Sequence, residues 1–284
     1  MIRILTDSAA DLTEKDAAAI PGLCIVPLNV TFEDGETIRD GVDMTRAEFY
    51  ERLAGEGKLP RTSQPSPDDF IREFEAAKAA GDEVVAILIS SKLSGTFQCA
   101  QLAAEECEFH DVYFVDTDTA SPGEYILIRE AVRLREEGIS AAEIAAQLDL
   151  LKKRIRILAV VDSLKHLHKG GRLPAAVALV GGALGIKPVL SVYEGKVHLA
   201  DKARGRPGAY VAMFKQLEKM GGIDPDYDHV LVYSSDRLVL NPIQHYVTHI
   251  LKLPAGHISQ IGSVIGTHIG PDAAGIAFVI PPKD

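Results

Sequence analysis

The sequence predicts an α/β protein in two domains, the first built on a parallel sheet and the second, smaller, mixing hairpins with helices. Three observations carry this reading. Short Val-, Ile- and Leu-rich runs alternate with helical patterns through the first half; a hairpin signature breaks that alternation in the second half; and 284 residues are more than one ordinary core requires.

Taken in order, residues 2–5, 24–30, 84–90 and 111–115 are the strand-like runs of the first half. They are continuously apolar and end in Thr, Asp, Ser or Asn, as parallel strands covered on both faces do. Between them, Phe70, Phe74 and Ala77 recur at helical spacing, and so do Ile144, Leu148 and Leu151. A helix is expected over 97–106, and another opening near 67, where Ser66-Pro67-Asp68-Asp69 reads as an N-cap, a first-turn proline and first-turn acids. Residues 157–161 open the second half. The segment 185–202 reads as two strands joined at Glu194-Gly195, followed by a strand at 229–234, a helix at 241–251 and a last strand at 277–280. The domains are set at 1–155 and 156–284, with the boundary after the Lys152–Arg154 helix end.

Composition narrows the function. Charged residues are 25% and hydrophobic residues 46%, an ordinary globular balance, while a net charge of −10 argues against sequence-independent binding to nucleic acid or to an anionic membrane. Cys24, Cys99 and Cys107 form no paired spacing, so neither a disulfide framework nor a zinc site is expected, and reduced cytosolic thiols are the simple reading. The N-terminal apolar run breaks at Thr6-Asp7-Ser8, too early for a signal peptide. The segment 175–186 is too short and too glycine-rich to span a bilayer. A cytoplasmic protein is expected.

In a parallel sheet, ligands gather where strands run into helices. Three hydroxyl clusters fall at or near such ends: Thr6-Asp7-Ser8; Ser90-Ser91 with Ser94-Gly95-Thr96; and Thr62-Ser63. Hydroxyls beside loose backbone N–H groups make a neutral pocket for an anion; any one cluster reads first as a helix cap, but three on one edge of a sheet point to a ligand. Neither GxxxxGK[ST] nor GxGxxG after a strand occurs, so ATP and NAD lack their usual signature; GxSxG is missing too. His166 and His168, two apart, would point to different faces of a helix and do not suggest a metal. His268 stands among glycines at 262, 266, 270 and 275, where backbone can approach a ligand closely; a histidine satisfied in a tight turn explains the composition equally well. Arg172 in HKGGRLP and Arg204 in KARGR are either solvated or contacts for a phosphate or an acidic partner.

Together TDSAADL (6–12), TSQPSP (62–67), SSKLSGT (90–96), GGRL (170–173) and GTHIGP (266–271), with GIKPVL (185–190), resemble the DegV family of bacterial lipid-binding proteins over essentially the whole chain. The resemblance implies an N-terminal three-layer α/β/α domain with a parallel sheet and a C-terminal two-layer α/β domain with a mixed sheet. A long-chain fatty acid would lie between them. It implies a lipid-binding subunit that is not itself an enzyme and carries no cofactor: a separate ATP-using fatty acid kinase subunit would phosphorylate the presented carboxylate, and the acyl phosphate would feed phospholipid synthesis. By the same resemblance Thr62 and Ser94 bond the carboxylate, Ser63, Thr96 and His268 lie near the head group, and Arg172 and Arg204 face the kinase. The chain departs from the family in two places: Asp272 stands where glycine is common, and 121–127 is looser than usual. A small-molecule enzyme for a keto or phosphorylated sugar, related in fold to dihydroxyacetone kinase, is the alternative, as is a lipid-transport module without a kinase.

Overall fold

The computed structural model describes residues 1–55, 57–173 and 185–282; most of the 175–186 segment lies outside the described residues. The chain runs through β1 (Ile2–Asp7), α1 (Glu14–Ala18), β2 (Leu23–Val26), β3 (Asn29–Thr31), β4 (Thr37–Arg39), α2 (Arg46–Gly55), β5 (Arg61–Ser63), α3 (Pro67–Ala80), β6 (Glu83–Leu88), α4 (Thr96–Glu106), β7 (Val112–Asp116), α5 (Pro122–Glu136) and α6 (Ala141–Leu151). It continues through β8 (Ile155–Val160), α7 (Lys165–Lys169), β9 (Ile186–Tyr193), β10 (Lys196–Arg204), α8 (Gly205–Lys219), β11 (Val230–Tyr233), α9 (Asn241–His245, running on as a π-helix through Ile250), β12 (His257–Gln260), α10 (Ser263–Ile269) and β13 (Ala274–Val279).

The fold is α/β, as the sequence predicts. Strands β2-β1-β6-β7 form an all-parallel sheet, and β10-β9-β8-β13-β11-β12 a mixed one with a single parallel pair, β11 with β12. A small antiparallel sheet, β4-β3-β5, sits beside the first. Leu5, Val84, Ala86 and Leu88 bury one face of the parallel sheet against Phe70 and Phe74 of α3 and Cys99 and Ala100 of α4. The other face, through Ile4, Val85 and Ile87, meets α5 and α6, which pack in turn on Ile155, Ile157, Val230 and Val279 of the mixed sheet. Helices α8 and α9 cover its far face around Met213, Leu217 and Val247. The middle helical layer is therefore common to both sheets.

Three differences from the sequence reading have physical causes. The apolar run 24–30 is two strands in different sheets, because Pro27 supplies no N–H to continue the ladder and the chain turns there; Leu28 N–H bonds Ser8 Oγ at 3.0 Å instead. Helix α5, which the sequence reading did not single out, is buried between the sheets through every residue from Ser121 to Ile128. The 261–270 glycine segment contains a helix, α10, where a tight turn was the composition's alternative. The expected hairpin is present, with Glu194 at φ 51° and Gly195 at φ 74°, the left-handed pair that a two-residue turn requires.

Candidate functional site

The uncharged hydroxyls come from two places: the end of β5, in the small antiparallel sheet and not at a parallel-strand end as the sequence suggests, and the loop that follows β6 of the parallel sheet. In TSQPSP, Ser66 is the cap of α3, its hydroxyl 2.7 Å from Asp69, while Thr62 and Ser63 are the last residues of β5 and are only partly covered. In SSKLSGT, the chain leaves β6 in a tight turn, with Leu93 and Ser94 N–H groups both bonding the Ser90 carbonyl. A Cβ on Gly95 would meet Gln64 Oε1, so the Gln64 side chain, which lies against Gly95, would have to swing aside. Behind Ser94, the Thr96 hydroxyl lies 2.8 Å from its Oγ. Thr96 is fully buried and does not line the cavity described below; it holds Ser94 rather than facing a ligand.

The third wall is α10. Two buried carboxylates fix its start: Asp11 accepts from Gly262 N–H at 2.7 Å and Asp40 from Ser263 N–H at 2.9 Å. Asp11 is also bonded by the Ser121 hydroxyl. This gives TDSAADL its role. Thr6 and Asp7 are buried and Ser8 accepts from Leu28, so the first hydroxyl cluster is structural and is not part of the cavity wall. A Cβ on Gly266 would lie 2.6 Å from Tyr50 Oη, so α10 packs directly on α2.

At the end of α10, His268 Nε2 lies 2.7 Å from Thr62 Oγ1. Its Nδ1 is buried without a partner and rests on Gly170, where a Cβ would collide with it. The approach is reciprocal: a Cβ on Gly270, after α10, would lie 2.7 Å from Nδ1 of His166 on α7. Each histidine is thus seated on a glycine from the other's motif. Burial, the Arg172 guanidinium and His166 push His268 down to about 4, so its imidazole is neutral near pH 7. Arg172 itself is half-buried, donating from Nε to Leu93 carbonyl at 3.0 Å and from Nη1 to Gly170 carbonyl at 2.6 Å. Burial lowers its pKa as well.

These groups close one end of a cavity of about 420 Å³, within the size range of small-molecule sites. Ile157, Leu190, Val192 and Val232 of the mixed sheet form one side and Ile261, Val264 and Ile265 another. Ala159 and Gly275 leave the space: on these central strands any large side chain would occupy it. Thr62, Ser63, Ser94, Arg172 and His268 all line this cavity, whereas Arg204 is exposed at the end of edge strand β10 and takes no part in it. Gln64, beside Ser63, lines the mouth and escapes the sequence reading. Among the described residues, no group of three or more His, Cys, Asp or Glu side chains could hold a metal, and no helix is long and apolar enough to cross a membrane.

The comparisons with known proteins agree with one another. The family model described as "Uncharacterised protein, DegV family" matches residues 1–280. A DegV domain-containing protein of Caldanaerobacter subterraneus subsp. tengcongensis is 36% identical over 277 residues, covering 98% of each chain. Among solved structures, a Thermus thermophilus DegV family protein described by its fatty acid binding superposes with a TM-score of 0.87 at 33% identity, over 98% of this chain and 99% of that one. A stearic acid-binding protein from Eubacterium ventriosum superposes with a TM-score of 0.89 at 28% identity, over 99% and 98%.

Proposed function

The chain belongs to the DegV family, and from that footing we propose that it binds one long-chain fatty acid between two domains divided near residue 155. In this reading the acyl chain fills the apolar cavity and the carboxylate lies at Thr62 and Ser94. The observation that carries the proposal is the pairing of long aliphatic walls with the hydroxyls of Thr62, Ser63 and Ser94 in one cavity. The similar Thermus and Eubacterium proteins, described as binding fatty acid and stearic acid, support it.

The energetics favour such a division of labour. Burying ~15 methylenes at ~0.8 kcal/mol each gives an upper bound of ~12 kcal/mol, so the chain supplies affinity and the head group supplies direction. Both hydroxyls are prepared to donate. A neutral His268 with its proton on Nε2 donates to Thr62 Oγ1, which leaves the Thr62 hydroxyl hydrogen for the carboxylate. Thr96, donating from its hydroxyl to Ser94 Oγ, does the same for Ser94. His268 acts here by orienting Thr62. The lowered pKa of His268 fits a neutral imidazole in that role.

We further propose that the carboxylate is presented to a separate ATP-using kinase subunit for phosphorylation to an acyl phosphate that serves phospholipid synthesis. Neutral donors suit that role, because a tight ion pair would draw electron density from the attacking oxygen. Arg172, at the rim, and Arg204, exposed on β10, are the proposed contacts for that partner. The alternative of a sugar enzyme is disfavoured by walls that offer a polyol few hydrogen-bond partners.

Alanine at Thr62 or Ser94 tests the head-group assignment: the expected result is weaker fatty acid binding and loss of phosphorylation by the kinase subunit. Unchanged retention and unchanged phosphorylation would sink it. Charge reversal at Arg204, exposed and outside the cavity, separates the two halves of the proposal, since it should impair acyl phosphate formation while leaving lipid bound.

A further inference from the structure

The segment SPGEYIL (121–127) places a carboxyl group where charge is hardest to hold. Glu124 is fully buried between the two sheets, in the first turn of α5. One oxygen, Oε1, accepts from Ser121 N–H at 3.1 Å, a donor shared with the Ala9 carbonyl at 2.9 Å. The other, Oε2, is buried with no hydrogen-bond partner among the described residues. The charges that bear on it most are Asp7 at the end of β1, Asp11 just beyond it and Asp116 at the end of β7, all acidic. Asp7 and Asp11 are buried too, but every oxygen of theirs is met by a donor. Asp7 accepts from Ala9 and Ile89 N–H, and Asp11 from Gly262 N–H and the Ser121 hydroxyl, with the Arg46 guanidinium close enough to favour its charge. Burial pushes Asp7 and Asp11 up to about 7 and, together with those acidic neighbours, raises Glu124 well above the ordinary carboxylate range.

We propose that Glu124 is a positioning residue that works as an uncharged carboxylic acid: its Oε1 holds Ser121, and through Ser121 and Asp11 it fixes α10, the helix that walls the fatty-acid cavity. The inference rests on the fatty-acid reading for its effect on ligand, and goes beyond it in naming the residue and its protonation state. Ser121 lines the cavity at φ 53° and ψ −119°, a region disfavoured for a residue with a Cβ. Such a conformation persists only where neighbours hold it, and Glu124 Oε1 and the Ala9 carbonyl do so. Held there, the Ser121 hydroxyl donates to Asp11, whose other oxygen accepts from Gly262 N–H at the start of α10. At the far end of α10, His268 meets Thr62. The proton on Glu124 follows from the surroundings. An ionised carboxylate would leave one buried oxygen without a donor and add a further negative charge beside Asp7 and Asp11. The neutral acid avoids the charge and leaves only an unbonded O–H, the smaller penalty.

Infrared difference spectra of the full-length protein, native against Glu124→Gln, test the protonation state near pH ~8, where Asp7 and Asp11 are ionised. The expected result is the loss of a carboxylic acid carbonyl band on substitution; loss of carboxylate bands instead would overturn the inference. Displacement of a fluorescent fatty acid by palmitate, and hydrogen exchange at Gly262 N–H, test the positioning role. Glu124→Ala should weaken palmitate about tenfold and speed Gly262 exchange by about the same factor. Glu124→Gln, which keeps the acceptor and carries no charge, should recover both to within about threefold of the native protein. An alanine variant that matches the native protein, or a glutamine variant as impaired as the alanine one, would overturn the inference. Should the alanine variant fail to fold, Glu124→Asp, whose carboxyl stops one methylene short of Ser121, takes its place with the same expected losses. A native protein that binds no palmitate would remove the fatty-acid reading itself, while the infrared band and the Gly262 exchange rates still decide the state of Glu124 and its hold on α10.

Discussion

Replacing Gly170 by alanine puts the positioning of His268 to a quantitative test. Gly170 has φ −75° and ψ −5°, an ordinary right-handed conformation. Backbone preference alone would therefore make alanine stabilising by roughly 0.5–1 kcal/mol, through the smaller entropy of its unfolded chain. The packing opposes this. A Cβ at residue 170 would collide with His268 Nδ1, lie 2.8 Å from Cε1 and stand 3.1 Å from the His166 carbonyl. Overpacking of this kind costs about 1–3 kcal/mol. Moving the ring away also breaks the 2.7 Å bond from His268 to Thr62, worth about 0.5–1.5 kcal/mol. Packing outweighs propensity, giving a net destabilisation of about 1–3 kcal/mol and a Tm lower by about 3–10 °C. Without His268 behind it, Thr62 is no longer held as a donor, and fatty acid affinity should fall about tenfold, equivalent to ~1.4 kcal/mol. Calorimetry and displacement of a fluorescent fatty acid measure the two effects. Gly55→Ala is the control, because a Cβ there meets nothing within 4 Å. A Gly170→Ala protein more stable than the parent, with unchanged affinity, would refute the reasoning.

Three other outcomes are expected. The His268 ring signals should stay nearly flat in an NMR titration until the pH approaches about 4. Because that folded pKa lies below the unfolded value of about 6.5, its contribution to stability is full above about pH 6.5 and is lost as the pH falls toward 4; a midpoint near 6.5 in the folded protein would contradict the buried placement. Gly195→Ala should loosen the β9–β10 hairpin tip, since residue 195 is left-handed and a Cβ would lie 2.6 Å from Ser90 Oγ and 2.9 Å from Asp118 Oδ1. Its N–H, now bonded to the Asp118 carbonyl at 2.7 Å, should exchange with solvent at least tenfold faster, and unaltered protection would refute the latch. Ala159→Leu should shift ligand preference toward shorter acids by filling part of the 420 Å³ cavity; an unaltered chain-length profile would mean that the acyl chain lies elsewhere.

How far the sequence could be read follows from which interactions are local. The Glu194-Gly195 hairpin and the Ser66-Pro67 helix start are settled by a few adjacent residues, and both are found as expected. Ser94 was legible because strand ends in a parallel sheet have a known use, whereas Thr62 belongs to β5 of the small antiparallel sheet and lies outside that rule. Thr6-Asp7-Ser8 obeys the same rule yet serves structure, since two of the partners that consume it, Leu28 and Ile89, are settled only by tertiary packing. The same holds for Asp11 and Asp40, whose bonds to the start of α10 span 251 and 223 residues. Asp272 shows a substitution tolerated by local chemistry. It occupies φ 58°, a conformation natural to glycine, and its carboxylate accepts from the Ser235 hydroxyl at 3.0 Å. The cavity walls were not legible, because Ala159 and Gly275 read as ordinary small strand residues until their neighbours are known.

The central claim, that the space between the two sheets holds a fatty acid, is tested most directly by native mass spectrometry of the purified, untreated protein, followed by identification of what dissociates on denaturation. The account predicts one equivalent of a long-chain carboxylic acid, lost or reduced in Thr62→Ala and Ser94→Ala. A protein that emerges empty and takes up no added fatty acid would contradict it.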